Sequence, residues 1–195
     1  MKTLNTFGAK AFSLNFTGLT NRIISDIAIS EVFDPQTPPA KRPQHLGTTA
    51  LWDTGATQCI ITRDTALKLN LKSVGKVIAN HGGGASEHST HLVNLILPNQ
   101  VGLAGVQVIE MEHIQDNFGV IIGMDIISQG DFSITNCNGK TCFSFRTPSL
   151  HKIDYVEEWN KKFKNVRPND FCPCGADKKF RKCHGAPGSA TLIRK

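Results

Sequence analysis

Asp53-Thr54-Gly55-Ala56-Thr57 is the stretch on which the reading of this chain turns. It follows one apolar run, Thr48-Thr49-Ala50-Leu51-Trp52, and precedes another, Cys59-Ile60-Ile61-Thr62. Asp and Gly are ordinary residues of surface turns. The flanks, however, carry Trp, Leu, Cys and Ile instead of the alternating polar pattern of a solvated hairpin. A carboxylate on a tight glycine turn between two buried strands costs stability, so its retention points to a use.

Outward from that turn, the first 150 residues read as short strands. The segments are Ala11 to Phe16, Arg22 to Phe33, Thr48 to Trp52, Cys59 to Thr62, Lys76 to Asn80, Ser89 to Leu97, Gly105 to Met111, Gly119 to Ile122, Asp131 to Thr135 and Lys140 to Arg146. Short strands with turn residues between them predict an all-β barrel or sandwich. Residues 34–46 hold Pro35, Pro38, Pro39 and Pro43, so they form a loop. Arg63 to Leu69 reads as a short helix with Asp64 near its start.

A second signature is Val120-Ile121-Ile122-Gly123-Met124-Asp125-Ile126-Ile127. Taken with the Asp53 turn, it resembles the retropepsin-like aspartic proteases over residues 10–146. In that family an Asp-Thr/Ser-Gly-Ala turn carries the catalytic acid, and a two-hydrophobe-plus-glycine segment packs beside it. The resemblance implies an all-β, closed acid-protease barrel that hydrolyses peptide bonds, with Asp53, Thr54 and Gly55 as the catalytic turn. Such chemistry needs two carboxylates sharing a proton: one acid polarises the scissile carbonyl while its partner takes a proton from water. This chain has a single Asp-Thr-Gly. The second Asp53 therefore has to come from a second copy, making the protein a homodimer with its two-fold axis through the site. Thr54 matches the position that locks the two turns together across the axis. Ala56 donates no hydrogen bond to the carboxylate as a Ser would, which predicts activity at weakly acidic pH.

His81-Gly82-Gly83-Gly84-Ala85-Ser86-Glu87-His88 places three glycines between two strands. Gly82, Gly83 and Gly84 suit a mobile flap over a polypeptide substrate. A phosphate cradle is disfavoured because no helix with Lys-Ser/Thr follows. His81, His88 and His91 match no common metal-site spacing and read as solvated loop residues. Two positions depart from the viral pattern. Trp52 is bulky where a small or aliphatic residue is usual, which would narrow the site. Met124 replaces an arginine that pairs with a carboxylate, leaving Asp125 as a structural hydrogen-bond acceptor at the start of a short helix.

The net charge is +6, and all of the excess lies late in the chain. Residues 1–150 hold 11 Lys/Arg against 11 Asp/Glu, and residues 151–195 hold 11 against 5. Such a tail suits an acidic protein, ribosome, nucleic acid or anionic lipid surface as partner. No apolar run of membrane-spanning length occurs, and Met1 to Gly8 lacks the apolar region of a secretion signal, so a cytoplasmic location is expected.

Past Thr147-Pro148 the periodicity changes. Ile153, Val156, Trp159 and Phe163 recur at helical spacing, predicting a linker helix that docks the tail on the barrel. Arg167 to Gly185 then resembles the SEC-C motif at the C-terminus of the bacterial preprotein translocase ATPase, carried by Cys172, Cys174, Cys183 and His184. Three thiolates and an imidazole complete a tetrahedral set for a structural Zn2+, with no position left for a reacting water; no cofactor is expected for the catalysis itself. By the same resemblance, Lys178, Lys179, Arg181 and Lys182 would dock an acidic protein or the ribosome.

Elsewhere, Cys59 reads as a small core residue. Cys137 and Cys142 flank the turn signal Asn138-Gly139 and are expected as free thiols in a reducing compartment. The predicted organisation is a protease domain over 1–148, a linker helix over 149–166 and a SEC-C zinc motif over 167–190. The leading reading is a dimeric aspartic endopeptidase positioned by its zinc module. One alternative is a catalytically silent peptide-binding adaptor; another is a ribosome- or chaperone-binding protein whose barrel is a scaffold.

Overall fold

Strand-forming alternation is clearest in Ile23–Glu31, where Ile23, Ser25, Ile27 and Ile29 are buried and the residues between them are more open. The protein is described by a computed structural model covering residues 2–6, 9–34, 36, 38–81, 84–112 and 118–187. It divides into two compact units, residues 1–150 and residues 151–195.

The first unit contains β1 (Lys2–Thr6), β2 (Ala9–Asn15), β3 (Ile23–Glu31), β4 (Leu46–Trp52), β5 (Ile60–Thr62), β6 (Gly75–His81), β7 (Gly84–Ile96), β8 (Gly102–Met111), β9 (Val120–Ile122), β10 (Asp131–Thr135) and β11 (Cys142–Thr147). Two short helices join them, α1 (Arg63–Lys68) and α2 (Met124–Ile127). Seven strands form one sheet in the order β3-β4-β9-β5-β8-β7-β6. β3 also pairs with β7, closing the sheet into a barrel. The β4–β9 and β5–β8 pairs are parallel, while β5–β9 is antiparallel. A second sheet, β1-β2-β11-β10, brings residues from both ends of the unit together.

The two sheets are joined by aromatic packing. Phe12 from β2, Phe143 and Phe145 from β11 and Trp52 from β4 are buried. The Trp52 ring lies 4.9 Å from that of Phe145 and 5.1 Å from that of Phe143. Its indole Nε1 donates to the buried Ser25 Oγ at 2.9 Å. Trp52 is thus a core residue bridging the sheets, and the expectation that it narrows the site gives way to this burial. α1 starts where Thr62 caps it, its side chain accepting from the Thr65 amide at 3.1 Å.

β1 was not foreseen, and β6 and β7 extend beyond their expected limits into one long hairpin, His81 facing Gly84. Cys137 and Cys142 are free and not cross-strand neighbours, since Thr135 is the residue facing Cys142.

The second unit holds α3 (Tyr155–Phe163), capped by Asp154, whose Oδ1 accepts from the amides of Val156 and Glu157. An isolated bridge links Phe171 to Lys179. Two apolar residues of α3 are engaged inside this unit: Trp159 and Phe163 pack at 5.3 and 5.4 Å on the His184 ring, while Val156 is exposed. Phe163 also meets Phe180 at 6.0 Å.

Candidate active site and metal centre

Asp53 sits directly after β4, the strand that runs parallel to β9. Its amide donates to the Ile122 carbonyl at 3.0 Å, extending that pairing by one bond. Its half-buried carboxylate accepts from the Gly55 amide, Oδ1 to N 2.8 Å. A side chain at position 55 would put a Cβ 3.1 Å from that oxygen. Close approach to the carboxylate, and not an unusual φ, therefore explains this glycine.

The rest of the turn rests on the segment after β9. The Ala56 carbonyl accepts from the Met124 amide at 2.8 Å and the Thr57 carbonyl from the Asp125 amide at 3.2 Å. Farther on, the Asp125 carboxylate accepts from the Cys59 amide (3.0 Å), the Cys59 thiol (3.1 Å) and the Ile126 amide (3.0 Å). Asp125 is thereby satisfied by main-chain and thiol donors, with Met124 where the viral pattern has a cation. Burial pushes the Cys59 thiol far above the ordinary range; the Gly123 hydrogen bond opposes this and the neighbouring Asp125 charge adds to it. A protonated, inert thiol follows. Thr54 is exposed beside Asp53.

Of the flap glycines, Gly82 and Gly83 lie outside the described residues, and Gly84 opens β7 with φ +121°, a conformation suited to glycine. The histidines nearby are more engaged than solvated loop residues would be. His91 is buried on β7, with Nε2 2.8 Å from Glu110 Oε2 and Nδ1 3.1 Å from the Lys72 carbonyl. His88 Nε2 lies 2.6 Å from Ser86 Oγ, and its Nδ1 is 3.0 Å from the Glu110 carbonyl. Periodicity in a glycine-rich stretch gave no sign of this burial.

In the second unit, one ligand atom from each of Cys172, Cys174, Cys183 and His184 lies within 4.8 Å of all the others. Cys172 Sγ and Cys183 Sγ stand 3.3 and 3.4 Å from His184 Nδ1, and Cys174 Sγ is 3.6 Å from Cys183 Sγ. Burial works against ionising Cys172, but hydrogen bonds from Cys174 and His184 outweigh it and bring the thiol down to about 6. Cys183 is pushed up to about 11 by burial and by its two sulfur neighbours. Three sulfurs and a ring nitrogen drawn this close form a donor set that fits zinc.

These arrangements are those of an acid-protease barrel and a small cysteine–histidine module. Residues 44–126 match the family model for aspartyl proteases, and residues 169–186 match that of the SEC-C motif. The chain therefore carries an aspartyl protease domain followed by a SEC-C motif, in an all-β frame with a short helix between them. The protein translocase subunit SecA of Nocardioides sp. is 57% identical over 36 residues, 18% of this chain, and the match spans only 4% of that relative. Among solved structures, a retropepsin-like aspartic protease from Rickettsia conorii aligns over 74% of this chain and 98% of its own at 9% identity, with a TM-score of 0.43. The EIAV protease in complex with an inhibitor aligns over 56% and 88% at 18% identity, TM-score 0.39. The retroviral protease-like domain of Ddi1 from Leishmania major aligns over 50% and 85% at 20% identity, TM-score 0.32. No helix among the described residues is long and apolar enough to cross a membrane.

Proposed function

We propose that the protein is an aspartic endopeptidase acting as a homodimer, with one Asp53 carboxylate from each chain. The observation that carries this reading is the Asp53 turn itself. Its carboxylate is clasped by Gly55 N–H within a segment matching the aspartyl protease family, and the chain offers one such turn. With two copies facing each other, one carboxyl stays protonated because two charges a few ångströms apart repel. The ionised partner takes a proton from water as the water oxygen bonds to the scissile carbonyl carbon, and the protonated acid donates to the carbonyl oxygen. The first carboxyl then passes its proton to the amide nitrogen, the C–N bond breaks to release the amine, and a hydroxyl of the intermediate returns a proton to the other carboxylate as the product acid forms. Thr54, exposed next to Asp53, is the residue that would reach the partner's turn. The β6–β7 hairpin, and in the sequence the glycines Gly82, Gly83 and Gly84 that follow β6, would supply the cover over an extended polypeptide and bond to its backbone.

In the second unit Cys172, Cys174, Cys183 and His184 would hold a structural zinc, which supplies folding energy to a small module and takes no part in hydrolysis. The basic residues Lys178, Lys179, Arg181 and Lys182, which lie between Cys174 and Cys183 in the sequence, would dock an acidic protein partner or the ribosome. A cytoplasmic setting suits unpaired thiols of this kind.

The test is cleavage of a mixed denatured-peptide library between about pH 4 and 7, a range in which a shared-proton dyad can act. Wild type is compared with Asp53→Asn. Cuts made by wild type alone establish the enzyme and its side-chain preference. A zinc-loaded wild type that makes no cuts leaves a peptide-binding adaptor in its place.

A further inference from the structure

The loop from Asp53 to Cys59 is fastened at both ends to one short segment. At the front, the Asp53 amide bonds to the Ile122 carbonyl at 3.0 Å. At the back, the Cys59 amide and thiol both donate to Asp125, to Oδ2 at 3.0 Å and Oδ1 at 3.1 Å. The thiol sulfur also accepts from the Gly123 amide at 3.4 Å, so Cys59 is tied to two residues of the same turn. It is fully buried and lies 66 residues from Asp125 in sequence. A small apolar residue would serve the core equally well, but it could not both donate and accept here.

We infer that Asp125 is a positioning residue for the catalytic loop, acting through the Cys59 thiol and amide. The inference rests on the aspartic protease reading. Main-chain bonds to Ala56 and Thr57 hold the middle of the loop on α2, and where it enters β5 the Cys59–Asp125 side-chain pair adds to the bond from the Ile109 amide to the Cys59 carbonyl at 3.0 Å. Loosening that end lets the Asp53 turn shift relative to its partner copy, and a displacement of about 1 Å at a reacting group can lower turnover about 100-fold. The thiol is held protonated by burial, so it acts as a permanent donor at working pH.

The experiment uses the full-length, zinc-loaded protein with Asp125→Asn, Cys59→Ala and Cys59→Ser, each active dimer counted by titration with a tight-binding statine peptide. The expected result for Cys59→Ala and Asp125→Asn is a kcat about 10- to 100-fold lower with KM within about twofold. Cys59→Ser, which keeps a donor and an acceptor, should recover kcat to within about threefold of wild type. Hydrogen exchange at the amides of residues 54–59 is followed in parallel and should accelerate in the first two variants only. Unchanged kcat per titrated site, or a serine variant as impaired as the alanine one, overturns the inference. If wild type cleaves nothing, the protease reading falls and exchange alone decides the clamp: acceleration confined to 54–59 upholds it, and unchanged exchange overturns it.

Discussion

Gly123 passes so close beneath Gln58 that a Cβ on the glycine would lie 2.6 Å from the Gln58 carbonyl oxygen, and 2.9 Å from that of Ala56. Both neighbours are backbone of the loop that carries Asp53, so they cannot swing aside as a flexible side chain would. Gly123→Ala should therefore displace the loop, lowering stability by about 1–3 kcal/mol and activity at least about tenfold. Thermal unfolding and initial rates measured on the same sample check it; a fully active alanine variant would show that the loop has slack.

Much of this frame was readable in advance, for a local reason. β10 spans Asp131–Thr135 as expected, and β3, β4 and β9 differ by a residue or two, because buried strands bounded by turn residues announce themselves. β1 did not, since Lys2–Thr6 contains one apolar residue, Leu4, and is a strand only by its pairing with β2. The first turns of β7 were hidden by glycine and polar residues that β6 draws into register. The Asp53 turn and the cysteine–histidine set were legible because their spacing is short. The bond between Cys59 and Asp125 was not, because no periodicity links residues that far apart.

Asp131 predicts an acid limit for the first unit. Its carboxyl is held well below the usual carboxylate range by the Ser149 hydroxyl, against some opposition from burial, and by the Arg146 side chain and Leu150 amide. A carboxyl with a lowered folded pKa binds fewer protons folded than unfolded. Its contribution is complete above the unfolded value of about 4 and is lost as pH falls below it. Asp131→Asn should cost about 1–2 kcal/mol at pH 7, and the gap from wild type should close as the pH drops below about 4. Denaturant midpoints across that range measure it; a gap independent of pH would assign the loss to packing.

Metal content should divide the molecule. The purified protein is expected to release one zinc per chain on denaturation, and strong chelators should unfold the second unit while the barrel persists. Trp159, packed on the His184 ring at 5.3 Å, should report the loss by fluorescence, with Trp52 buried in the first unit as the unchanged reference. Cys174→Ser should do the same without chelator.

If the active site takes one Asp53 from each of two chains, as proposed, specific activity should fall on dilution. Added Asp53→Asn chains should poison wild type in proportion to the mixed dimers formed. Activity that is linear in protein concentration and indifferent to the added variant would place both acids in one chain.

The bonds that anchor the Asp53 turn have a consequence for how the protein is made. Asp53 is synthesised early, yet its amide, the Ala56 and Thr57 carbonyls and Cys59 all find their partners in residues 122–125. Contacts of such long range form only once the later segment is present. While the chain is still growing, the turn has only its local bonds, from the Gly55 and Ala56 amides to Asp53, and it is fastened to the barrel only once residues 122–125 have left the ribosome. An unfinished chain therefore lacks the anchored turn on which the proposed cleavage depends.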